Sequence, residues 1–390
     1  MSEGNQEEKI SLKKKFVATR YALERVLFDE EKPKVERKSQ RPVIGLGIII
    51  LAEAVMLALW LAFQKFAFVP SDIVHVEIIK KLYSSISGGD FAVLMSPYSA
   101  GIKKFAPPLY YLTYIPFLKI SGSLKFAMFC VNTLYFSIIA FSLYSLVKGR
   151  KVESGWIAAA FAGALPFVLD LLRKPDPMIA AVAFACAAYT VFILSHSFEK
   201  RRFSGFFFGV FTACGLMSHK FFIFYCLPPL VPFLSYIISF ERERILGGFL
   251  FLIVFAGLWY VKNGFYYFLS YSFIGGKLIP YTGFSVKNFF WFFPAALNSM
   301  HIIMFLIGIV CLLWMYLAVF NPYDGRKPVL IWVFLPSIFF SFFFEKNPSY
   351  LFPSIIAISA AVGVMTPRII YKHMLALCAF FLVINQSGFL

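Results

Sequence analysis

Apolar residues in this chain fall mostly in long unbroken runs. They do not follow the period of two of a half-buried strand, nor the 3.6-residue period of a surface helix. Several runs are about 20 residues long, enough for a helix to cross a ~30 Å hydrocarbon core. The first extends from Val43 to Phe63, with Glu53 near its middle. Continued along the chain, the pattern predicts eleven spans: roughly 43–63, 126–147, 155–171, 177–195, 204–218, 221–239, 247–262, 291–319, 329–344, 350–364 and 374–386. The expected fold class is all-α, a polytopic membrane protein of about 11 transmembrane helices.

One stretch breaks the pattern, Pro70 to Gly122, within a first outer loop expected at about 64–125. Its polar and apolar positions predict an amphipathic helix over Ile73 to Ile86 and a turn at Gly88 to Asp90. Next comes the aromatic run Pro107-Pro108-Leu109-Tyr110-Tyr111. Pro107 to Ile120 is expected as an interfacial helix, with Tyr110, Tyr111 and Tyr114 at headgroup depth.

Composition sharpens this picture. The chain is 60% hydrophobic and 19% aromatic, with a net charge of +17. In a soluble domain that charge would suggest nucleic acid, but here it sits in a tail and in short loops, so no nucleic-acid partner is expected. Residues 1–42 hold eleven Lys/Arg and eight Asp/Glu and form a basic tail; residues 43–390 form the membrane domain. With the tail cytoplasmic, the loops at Lys148/Arg150/Lys151, Lys200/Arg201/Arg202, Arg242/Arg244, Arg326/Lys327 and Arg368/Lys372 put twelve basic residues on the cytoplasmic side. The protein is therefore expected to be an integral multi-pass membrane protein with a cytoplasmic amino terminus. The membrane is a prokaryotic cell membrane or the endoplasmic reticulum. The six cysteines lie in or beside apolar runs without CxxC spacing, so neither a disulfide framework nor a zinc site is expected.

In this topology the acids Asp72 and Asp176 and the basic residues Arg173, Lys174, Lys220 and Lys346 gather on the outer face. Ionisable groups at span ends facing a common cavity are costly unless paired or functional. Asp72 opens the amphipathic helix, where it can serve as a cap or take a proton from an incoming hydroxyl or amine. His75 shares its face. Asp176 stands between Pro175 and Pro177, which fix the backbone on both sides. Separate basic sites around two carboxylates suit a phosphate-bearing ligand.

The order of these elements resembles the first outer loop and following loops of GT-C membrane glycosyltransferases. The nearest branch contains the protein O-mannosyltransferases and lipid A aminoarabinose transferases. The matching residues are Ser71-Asp72, Gly89-Asp90-Phe91, Lys103-Lys104, Pro107 to Tyr111, Asp176-Pro177-Met178, His219-Lys220 and Lys346 to Pro353. Ile73 stands where that branch has Glu, and Phe105-Ala106 separate Lys104 from the prolines. The resemblance implies transfer of a sugar from a polyprenyl-phosphate donor to a protein, lipid or glycan acceptor on the outer or lumenal side. It implies Asp72 and Asp176 as catalytic acids, and as the ligands if a divalent metal cation takes part. Lys104, Arg173, Lys174, Lys220, Lys346 and Tyr350 would bind substrate. Two other classes compete. Glu53 and the breaks at Pro166 and Pro228-Pro229 suit a transporter, while Ile73 and the lack of an extramembrane domain suit a non-catalytic subunit of a glycan-assembly complex.

Overall fold

The computed structural model describes residues 41–63, 70–94, 107–147, 152–195, 203–219, 221–233, 250, 252–269, 290–317, 326–341 and 348–387. All regular structure among them is helical. A bilayer favours that outcome, because a helix satisfies its backbone groups within itself. The first helices are α1 (Arg41–Phe63), α2 (Pro70–Ser87), the short α3 (Leu109–Leu112) and α4 (Ile115–Ser121), then α5 (Leu124–Val147). Next come α6 (Val152–Gly163), α7 (Pro166–Leu172), α8 (Met178–Leu194), α9 (Ser204–Leu216) and α10 (Phe222–Cys226). The rest are α11 (Leu258–Leu269), α12 (Phe292–Met300), α13 (Ile302–Leu317), α14 (Arg326–Ser341), α15 (Phe352–Met365) and α16 (Tyr371–Ser387).

Among the described residues, 4 helices are long and apolar enough to cross a membrane, or up to 6 if each bent pair forms one span. Two expected spans are such pairs. The run 155–171 is α6 and α7, bent by 69°, and the run 291–319 is α12 and α13, bent by 120° at His301. Pro166 interrupts the ladder at the first bend, and the carbonyl of Ala164, left outside the ladder because Val168 N–H bonds to Leu165 O, accepts a bond from Asn385 Nδ2 at 2.8 Å. The described part of the run 221–239, residues 221–233, forms α10 and a 3₁₀ segment, Pro228–Phe233, where three prolines interrupt the ladder. The tail 1–40 lies outside the described residues.

Packing follows residue size. The alanine-rich α8 is buried along most of its length against α5, α9 and α10. The buried α15 packs on α6, α13 and α14. A methyl group built on Gly363 would lie 2.6 Å from the Ser154 carbonyl, so only glycine allows α15 to approach α6 this closely. At the edge of the bundle, α1 exposes Ile44, Ile48, Leu51, Val55 and Leu59. The last turns of α1, α7 and α16 meet at one face: Lys125 Nζ donates to Leu61 O at 3.3 Å, and Arg173 Nη2 to Asn385 O at 2.9 Å. The first turns of α6 and α16 meet at the other, where the hydroxyls of Ser154 and Tyr371 are 2.8 Å apart.

Candidate functional site

The first of these faces carries both aspartates. On α2 the apolar stripe Val76, Ile79 and Leu82 is buried, which turns the first-turn residue Asp72 inward with it. Asp72 is 9% exposed and sits at the helix end whose dipole favours a carboxylate. One turn on, His75 Nδ1 lies 2.8 Å from the Tyr111 hydroxyl, the two rings stacked at 5.9 Å. Asp90 behaves as a turn residue. Its Oδ1 accepts the Ala92 N–H at 3.1 Å, after Gly89 at a φ of 84°.

The segment 107–121 departs from the expected interfacial helix. It is two short helices, α3 and α4, and Tyr110, Tyr111 and Tyr114 are at most 1% exposed. Aromatic rings do favour headgroups, but these three hydroxyls find partners inside the protein. Tyr110 and Tyr114 hydroxyls are 2.7 Å apart, and Tyr110 donates to Asn132 Oδ1 at 3.4 Å. Asn132, on α5, donates through Nδ2 to the carbonyls of Leu172 at 2.8 Å and Lys174 at 3.1 Å. The aromatic segment and the second acidic loop are thus fastened to one amide. Leu109 N–H adds a tie to the end of α9, bonding to Met217 O at 2.9 Å. A polar residue inside an apolar run was the available sequence signal for Asn132.

Asp176 lies in that fastened loop. It is half-buried, and its Oδ1 accepts the N–H of Met178, the first residue of α8, at 2.9 Å. Its charge reaches the phenols of Tyr110, Tyr111 and Tyr114. Burial first, and then the Asp176 carboxylate, push the Tyr111 phenol well above its ordinary range. Tyr111 therefore keeps its proton and can donate it to His75 Nδ1, which in the neutral imidazole leaves the hydrogen on Nε2. Asp72 shares α2 with His75, whose partner Tyr111 lies in the field of the Asp176 carboxylate.

The basic residues divide. Lys174 Nζ is 3.8 Å from Asp170 Oδ2 in a largely exposed pair, a contact worth little on its own. Arg173 turns toward α1 and α16, its guanidinium 4.8 Å from the Trp60 ring centroid and bonded to Asn385 O. Lys104, Lys220 and Lys346 lie outside the described residues. Tyr350 is buried, stacked on Phe340 at 4.5 Å and edge-on to Phe221 at 5.5 Å. Beside it, Tyr225 is fully buried, and its hydroxyl has no hydrogen-bond partner among the described residues. No three His, Cys, Asp or Glu side chains among the described residues lie together as a metal donor set.

This arrangement of bent and short helices under a first loop with an amphipathic helix is a fold already seen in solved structures. Three solved structures share it. ArnT from Cupriavidus metallidurans in the apo state matches with a TM-score of 0.61 and 19% identity, over 82% of this chain and 59% of that one. ArnT bound to undecaprenyl phosphate gives 0.62 and 17%, over 84% and 60%. The Archaeoglobus fulgidus oligosaccharyltransferase in complex with Zn and sulfate gives 0.55 and 13%, over 88% and 51%. This chain thus spans only 51–60% of the length of the structures it resembles. No protein-family model and no curated protein sequence matches it.

Proposed function

We propose that the protein is an integral-membrane glycosyltransferase that moves a sugar from a polyprenyl-phosphate donor to an acceptor at the face carrying Asp72 and Asp176. The observation that carries this reading is the His75–Tyr111 bond. It joins the helix of the first acid to an aromatic segment lying in the field of the second. The shared fold adds support, one structure with that fold holding undecaprenyl phosphate.

The acceptor's hydroxyl or amine gives its proton to the Asp72 carboxylate as its heteroatom bonds to the anomeric carbon of the sugar. The bond from that carbon to the phosphate oxygen breaks, and its electron pair leaves on the polyprenyl phosphate, so the configuration inverts. Lys104, Lys174, Lys220 and Lys346 stabilise the departing phosphate, and Tyr350 takes part in binding the substrate. Asp176 accepts a hydrogen bond from a sugar or acceptor hydroxyl, and Arg173 holds the Asp176 loop in place. The oligosaccharyltransferase structure holds Zn. If a divalent cation takes part here, Asp72 and Asp176 would be its carboxylate ligands, although no three His, Cys, Asp or Glu gather among the described residues, and each step runs through the chain's own groups. The acceptor is a protein, lipid or glycan. The amino terminus is cytoplasmic, in a prokaryotic cell membrane or the endoplasmic reticulum.

Purified protein incubated with a labelled undecaprenyl-phosphate sugar and candidate acceptors tests the reading. Release of undecaprenyl phosphate with transfer of the label supports it. Movement of the labelled lipid across sealed vesicles without transfer would make the protein a transporter. Donor binding with neither outcome would make it a non-catalytic subunit.

A further inference from the structure

Glu53 is used by nothing described so far. It lies midway along the apolar stretch Val43–Phe63 and is 3% exposed, and neither carboxylate oxygen has a hydrogen-bond partner among the described residues. It lines a cavity of about 330 Å³ between α1, α6 and α16, walled by small residues including Gly45, Ala52, Gly163 and Ala379. Arg173 bears on Glu53 electrostatically, but its guanidinium is engaged at the face, over Trp60 and on Asn385. An acid at this depth is costly and normally pairs.

We propose that the seam between α1 and α16 docks a transmembrane helix of a partner protein, which inserts one Lys or Arg side chain into this cavity beside Glu53. Charge complementarity selects that occupant. A phospholipid keeps its polar groups near the interface, and its tails bring no donor to mid-depth. A helix spanning the bilayer can carry a donor there. The cavity is too small for a helix ~10–12 Å across, yet it is open to one long side chain. The helix body would rest on side chains that α1 and α16 leave exposed, Ile48, Val55, Phe380 and Val383. Ala52 and Ala379 permit the close backbone approach that membrane helix pairs use.

The test measures energy transfer in lipid vesicles between the labelled full-length protein and synthetic leucine-rich transmembrane peptides. One peptide carries a central Lys, a second Leu there, and a third Glu. The wild-type protein should bind the Lys peptide about tenfold more tightly than the Leu peptide. Glu53→Gln should lose that preference, and Glu53→Lys should transfer it to the Glu peptide. Ala379→Phe fills the cavity without touching the acid and should also abolish the preference, so the test stands even where a Glu53 variant fails to fold. Equal binding of the Lys and Leu peptides to wild type, or an unchanged preference in Glu53→Gln, would overturn the proposal. Saturable binding of hexadecylamine with no preference between peptides would make the cavity a lipid-amine site, and would overturn it as well.

Discussion

Arg173 Nη2 donates to the backbone carbonyl of Asn385 at 2.9 Å, which ties the second acidic loop to the last helix across 212 positions of sequence. The Asn385 side chain does more. Its Nδ2 bonds to the carbonyl freed where Pro166 breaks the chain, and its Oδ1 lies 2.5 Å from His301 Nε2, at the sharp bend between α12 and α13. One amide therefore closes both broken spans. Asn385→Leu would leave the buried Ala164 carbonyl and the partly buried His301 ring without these bonds, the first costing ~1–3 kcal/mol and the second less. Thermal unfolding in detergent should show a clear loss of stability, while Asp72-dependent chemistry per folded molecule changes little.

Arg173 can be separated from the phosphate-binding residues by charge-preserving substitution. Its planar guanidinium lies over Trp60 and bonds to a carbonyl, and Lys reproduces neither contact. Arg173→Lys should lose stability almost as Arg173→Ala does, with the KM for donor little changed relative to that for acceptor. A donor KM raised in Arg173→Ala and restored in Arg173→Lys would instead place the guanidinium on the phosphate.

Much of this was legible in the sequence where a single physical rule governs. The apolar runs at 43–63 and 126–147 reappear as α1 and α5, because nothing in them competes with a continuous helix. The order Asp72, aromatic segment, Asp176 was readable as well, and the structure fastens the aromatic segment and the Asp176 loop to the same amide, Asn132. The inward turn of Tyr110, Tyr111 and Tyr114 was hidden, because tyrosine is equally at home in headgroups and beside a buried amide. Which one wins depends on Asn132, 22 positions away from Tyr110. The bend at His301 left no proline to read, and its partner Asn385 lies 84 positions on. Contacts at that separation follow from packing rather than from local pattern.

Tyr225 offers a test of whether the buried aromatic cluster near Tyr350 is built for stability. Its ring stacks on His219 at 5.9 Å, and its carbonyl accepts the Trp332 indole N–H at 3.0 Å. Its hydroxyl, in contrast, is buried without a partner among the described residues. Removing such a group relieves a desolvation cost, so Tyr225→Phe should unfold no earlier than wild type, and later by up to about 1–3 kcal/mol. If turnover falls while stability holds or rises, the hydroxyl serves the reaction. Unchanged turnover would make Tyr225 a packing residue.

The deciding experiment concerns Asp72. Asparagine at this position keeps the size of the side chain and one carbonyl acceptor, but it cannot take a proton. Folding should therefore survive in Asp72→Asn, judged by unchanged thermal unfolding. General-base contributions run to a factor of roughly 10² to 10⁴, so turnover should fall at least about a hundredfold with donor binding nearly intact. Asp90→Asn is the control, because Asp90 is an exposed turn residue bonded to Ala92 N–H, and it should cost little. Asp176→Asn can still accept the Met178 N–H, so its loss should appear in turnover before stability. Near-wild-type turnover in Asp72→Asn alongside a large loss in Asp176→Asn would move the base to Asp176 and leave Asp72 as a first-turn carboxylate on the dipole of its helix.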